Sequence, residues 1–198
     1  MKRVRDRGGL ARVKTGRWLI GAIVVLVPST PMVSAETGSK STTSRTRVCE
    51  VKAVVRDPDP AGLNVRAKPK NGAILGRLPN DTEITLVESH ERWVRFGHAW
   101  NAGMPDNQAL PKGWVFSGLL TTYLKTPEEY GPATIPKLRK RPTKDSPFIR
   151  LDWRAKPTIT VVGCDGEFLE VVINKGRAKR RGYLGWDSHC ASTVTTCP

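Results

Sequence analysis

The chain has 198 residues and carries 33 Lys and Arg against 18 Asp and Glu, a formal net charge of +15. A balance this basic favours an anionic partner such as cell-wall polymer, lipid head groups or nucleic acid, although the same charge also serves plain solubility. None of its 4 cysteines stands in a Cys-x-x-Cys spacing and no His-x-x-x-His occurs, so no metal site and no cofactor are expected.

Lys2, Arg3, Arg5, Arg7, Arg12, Lys14 and Arg17 precede the apolar run Trp18 to Val27, which is followed by Pro28 and the small-residue site Val33-Ser34-Ala35. Residues 1–35 therefore read as a secretory signal peptide cleaved after Ala35. The apolar run falls short of the roughly 20 residues that a membrane span needs. Pro28 and Pro31 stop a helix from lengthening it, so no span is expected after cleavage. A retained signal anchor is the alternative, suggested by the long basic leader. Without the leader, 33 − 7 = 26 basic residues stand against 18 − 1 = 17 acidic ones, and the mature chain remains basic at +9. Export places it in the periplasm or outside the cell and removes it from nucleic acid.

Residues 36–47 are rich in Ser and Thr and nearly free of apolar side chains, the composition of a flexible tether. Cys49, Cys164, Cys190 and Cys197 all lie beyond the cleavage site, and an even number of cysteines in an exported chain predicts disulfides. Cys190 with Cys197 would close a short hairpin and leave Cys49 to join Cys164. Cys164 with Cys190 would instead staple the C-terminal part internally, and the spacing does not choose.

From residue 48 to 125 the pattern is that of short strands. Asp57-Pro-Asp-Pro-Ala-Gly leads into the alternating run Leu63-Asn64-Val65-Arg66, and Ala67-Lys68-Pro69 ends it. Ile74 to Leu78, Glu83 to Glu88 and Arg92 to Phe96 follow, with Ile84 and Leu86, then Val94 and Phe96, on matching faces. Gly113-Trp114-Val115-Phe116 comes next, and Leu119, Leu120 and Tyr123 close the set. The Gly-Leu-Asn-Val-Arg run between proline turns and the later Gly-Trp-Val strand resemble bacterial SH3 (SH3b) domains. That resemblance implies a small β-barrel that binds peptidoglycan or a peptide. The departure from the family is the stretch Gly97 to Lys112, read as an inserted loop carrying His98, Trp100, Met104 and Gln108.

Residues 126–147 hold five prolines and the cluster Lys137, Arg139, Lys140 and Arg141, the composition of a stiff, basic linker. Residues 148–198 then echo the first module: Arg154-Ala-Lys-Pro157 repeats Arg66-Ala-Lys-Pro69, Ile159 to Val162 repeats Ile84 to Val87, and Phe168 to Val171 repeats Trp93 to Phe96. The expectation is all-β: two small SH3-like barrels after a cleaved signal peptide, the second truncated and disulfide-supported.

No catalytic constellation emerges. His189 and Cys190 are neighbours, whereas a nucleophile and its base meet from separate elements and need a third orienting group. Asp57 and Asp59 read as turn formers, and Glu128 and Glu129 as solvated linker residues. The resemblance implies a non-enzymatic envelope protein that recognises cell-wall glycan or peptide, or an envelope protein. An interaction or inhibitor module acting on an envelope or secreted partner is the alternative. The candidate contacts are Trp93, Trp100, Trp114 and Tyr123 for stacking, with Arg66, Lys68 and Lys70 for charge. The strand positions of Trp93 and Trp114 equally suit core packing.

Overall fold

The structure, a computed structural model, describes residues 45–103 and 110–191. The expected signal peptide, residues 36–44 of the tether, Met104, Gln108 and Cys197 lie outside the described residues.

The first sheet contains β1 (Arg47–Val55), β2 (Leu63–Arg66), β3 (Ile74–Leu78), β4 (Glu83–His90), β5 (Trp93–Trp100), β6 (Trp114–Phe116) and β7 (Leu120–Thr121), in the order β3-β2-β6-β5-β4-β1-β7. Its longest strand, β1, was not read from the sequence, although it alternates plainly. Cys49, Val51, Ala53 and Val55 enter the core while Glu50 and Lys52 face out. Leu63 and Val65, Ile84 and Leu86, and Val94 and Phe96 are all buried as their alternation predicts. The Asp-Pro-Asp-Pro turn is held by local bonds: Asp57 accepts from the Asp59 amide and Asp59 from the Ala61 amide, each at 2.9 Å. Gly62 follows at φ +86°, and a Cβ there would lie 2.3 Å from the Leu78 carbonyl oxygen, so the turn into β2 requires glycine.

Strand β8 (Tyr123–Leu124) leads out of this sheet, and a short helix, α1 (Pro127–Tyr130), follows it. The second sheet contains β9 (Lys137–Arg139), β10 (Phe148–Arg150), β11 (Thr158–Asp165), β12 (Phe168–Lys175) and β13 (Ala178–Gly185), in the order β10-β9-β13-β12-β11. Last comes β14 (His189–Cys190), which pairs back onto β8. The all-β class expected from the sequence is the class observed. The β4–β5 and β11–β12 hairpins are the part of the internal echo that shares a structure. Its Arg-Ala-Lys-Pro element does not: Arg66 ends a strand, whereas Trp153–Ala155 form a 3-10 turn with Lys156 left-handed at φ 44°.

The two sheets pack through one apolar core. Ile159, Val161, Leu169, Val171 and Leu184 of the second sheet join Leu86, Val94 and Phe96 of the first. The Thr121 hydroxyl donates to the Ile159 carbonyl at 2.7 Å. A disulfide joins Cys49 on β1 to Cys164 on β11. Beside it the chains exchange backbone bonds, Glu50 amide to Gly166 carbonyl at 2.9 Å and Gly166 amide to Val48 carbonyl at 3.0 Å. Close approach requires Gly163, where a Cβ would stand 2.7 Å from a nitrogen of the Arg47 guanidinium and 2.8 Å from the Ser89 hydroxyl. The buried Glu170 carboxylate is shared there by Arg47 (2.7 Å) and Arg181 (2.6 Å).

Two expectations are corrected. The stretch read as a linker supplies β9, with Leu138 and Arg139 buried, because its register with Phe148–Arg150 and Tyr183 draws it into the second sheet. The strand β5 runs on to Trp100, so His98 and Trp100 stand on a strand rather than in an insertion. Gly97 lies where the β4 register shifts, and the resulting bulge lets the ladder continue to Glu83 opposite Trp100.

Candidate functional site

On the outward face of the first sheet, strict alternation lines up Glu50 and Lys52 of β1, Glu83 and Thr85 of β4, and His98 and Trp100 of β5. The turn after β13 brings Trp186 opposite this face, with Lys125, Glu167 and β14 completing a cleft of about 770 Å³. Both indole rings are open to solvent, Trp100 at 38% and Trp186 at 61%. The Lys125 ammonium lies 5.6 Å from the Trp186 ring and 5.1 Å from the Tyr130 ring, a cation–π arrangement at the Trp186 wall. On the floor Lys52 pairs with Glu83 at 2.6 Å. The cleft thus offers two flat apolar rings over a floor of mixed donors and acceptors, suited to a ligand with both ring faces and hydroxyl or amide groups.

Beneath this wall lies β14. The Thr122 hydroxyl donates its one proton to the Cys190 carbonyl at 2.9 Å, so the 3.1 Å contact with His189 is donated by Nδ1–H. The opposite nitrogen, Nε2, is buried without a partner. Burial, seconded by Lys125, pushes the His189 imidazole down to about 4, against a smaller opposing pull from Asp187. Burial alone would raise the Asp187 carboxyl, but Arg139, Ser188 and Lys137 together hold it below the ordinary carboxylate range. His189 and Cys190 do not form a catalytic pair, because Cys190 is engaged in a disulfide and does not titrate.

The expected contact residues are dispersed. Trp100 alone lines the cleft. Arg66 and Trp114 meet as cross-strand partners on β2 and β6, with Arg95 next in the row, and Arg66 donates to the Gly72 carbonyl at 2.9 Å. Trp93 is half-buried with its ring edge-on to Phe116 at 5.6 Å, a packing role. The Tyr123 hydroxyl accepts from Arg56 at 2.7 Å, Lys70 pairs with Glu91 at 2.9 Å, and Lys68 is exposed. Sequence reasoning missed Trp186, Glu50, Lys52 and Glu167 as cleft residues. The alternation of Glu50 and Lys52 through β1 was the available signal for two of them, while Trp186 reaches the cleft only through the tertiary fold.

No protein-family model, curated protein or solved structure matches the chain. The cleft is accordingly interpreted from its own chemistry.

Proposed function

We propose that the chain is an exported, non-enzymatic binding protein that holds peptidoglycan in the cleft between Trp100 and Trp186. The observation that carries this reading is the pair of solvent-open indoles lining one cleft of about 770 Å³, room for more than one sugar ring. Pyranose rings present apolar C–H faces to aromatic rings, and their hydroxyls and the amides of attached peptides meet Glu50, Thr85, His98 and Glu167 on the floor and rim. The engagement of Cys49, Cys164 and Cys190 in disulfides supports an oxidising compartment. The basic leader supports export, and the Gly-Leu-Asn-Val-Arg and Gly-Trp-Val segments support an SH3-like first module.

Co-sedimentation of the purified mature chain with insoluble peptidoglycan tests the reading, with a zymogram on the same walls as its partner assay. Retention in the pellet without clearing of the walls is expected. A protein that stays in the supernatant, or one that clears the walls, refutes it.

A further inference from the structure

The second sheet carries a surface that the cleft does not use. The pairing of β12 with β13, and of β9 with β10 and β13, fixes which side chains share its outer face. Alternation places Lys179, Arg181 and Tyr183 in one row on β13, about 7 Å apart. Arg139 with Lys137, and Phe148 with Arg150, form the next rows on that same face. The opposite face of this sheet holds Leu138, Val171, Ile173 and Leu184, all buried, and on the cationic face Arg150, Lys179 and Arg181 are exposed while Arg139 is buried against Asp187.

Its charge is only partly neutralised within the sheet. Glu170 is already shared by Arg47 and Arg181, and Asp187 by Arg139 and Lys137. Among the described residues Arg150, Arg177 and Lys179 have no ion-pair partner, and all three are exposed. The β12–β13 turn adds Arg177 at its tip, whereas Arg180, paired with Ile173, stands on the other face of the hairpin. At the other edge of the sheet Phe148, on the same face, is 46% exposed.

We propose that this face docks on a membrane surface of anionic phospholipid. The cations spread both along and across the strands of an open sheet face, which matches a plane of headgroup charge. A linear polyanion is instead tracked by a groove lined with bases, and this face has none. The exposed Phe148 at its edge supplies the apolar contact that reaches just below the headgroups. None of these cations lines the Trp100 and Trp186 cleft.

The test is sedimentation of the mature chain with phosphatidylcholine vesicles, with and without about 30 mol% phosphatidylglycerol. Binding to the anionic vesicles alone is expected, lost at about 1 M salt. Arg150→Gln/Lys179→Gln should weaken it about 25-fold, at about 5-fold per cation, while leaving peptidoglycan retention unchanged. Arg177→Gln/Lys179→Gln, confined to the exposed end of the β12–β13 hairpin, provides a second variant should the first lose its circular dichroism. Equal binding to neutral vesicles, or wild-type affinity in a folded variant, overturns the proposal. So does a single-stranded oligonucleotide or polyphosphate that binds more tightly than the vesicles and loses that binding in the same variants.

Discussion

Replacing both Cys49 and Cys164 with alanine removes the covalent tie between the sheets. The bridge closes a loop with a sequence separation of 115 residues. A loop of that length corresponds to about 5 kcal/mol of unfolded-state entropy at 25 °C. Both side chains are buried, and losing two sulfurs from the core adds about 1 kcal/mol. The backbone bonds around Gly166 and the Arg47–Glu170–Arg181 cluster remain, so the sheets should still dock. The assay is urea unfolding under non-reducing conditions, which keeps the Cys190 disulfide intact. With a slope of about 2 kcal/mol/M, the midpoint should fall by about 2 to 3 M. A midpoint within about 0.5 M of wild type, at unchanged slope, would refute the claim that this bridge organises the two sheets.

His189 should make the fold acid-sensitive above the carboxylate range. It stays neutral in the folded chain until about pH 4 but takes up a proton near 6.5 when unfolded, so stability present above pH 6.5 is lost as pH falls toward 4. The loss amounts to about 3 kcal/mol, read as a falling urea midpoint between pH 7 and pH 4.5 that His189→Asn flattens. A further loss below pH 4 is expected as Asp187, whose carboxyl is held low, takes up its proton. Glu170→Gln leaves Arg47 and Arg181 without their shared carboxylate and should cost about 2 kcal/mol by the same assay. Intact-mass analysis of protein from the envelope fraction should show a mature N-terminus at Glu36, and a full-length mass would favour the retained anchor.

Local patterning made much of the first sheet legible. Leu63 and Val65, Ile84 and Leu86, and Val94 and Phe96 announced their strands because a period of two with one buried face leaves few other solutions. The Asp57 and Asp59 turns were legible for the same local reason. The Cys49–Cys164 bridge stood among the pairings considered, yet only the docking of β11 against β1 selects it. Strand β9 was hidden because Pro136 and Pro142 flank three residues of which one is apolar, so only partners distant in sequence make it a strand. The extension of β5 to Trp100 was hidden by Gly97, which marks a bulge within the strand. The candidate site was the least legible part. Its walls come from β5 and from a turn more than eighty residues later, and no local pattern links Trp100 to Trp186.

Retention on insoluble peptidoglycan across a salt series, compared between wild type and Trp100→Ala/Trp186→Ala, tests the central claim most directly. Screening shortens to about 3 Å at 1 M salt, so contacts made by charge alone should vanish there while ring stacking persists. The account predicts a salt-resistant fraction in the wild type that falls about 30-fold in the folded double variant, the loss of a contact worth about 2 kcal/mol. Wild-type retention that disappears entirely at high salt, or a folded double variant retained as strongly as wild type, would contradict it.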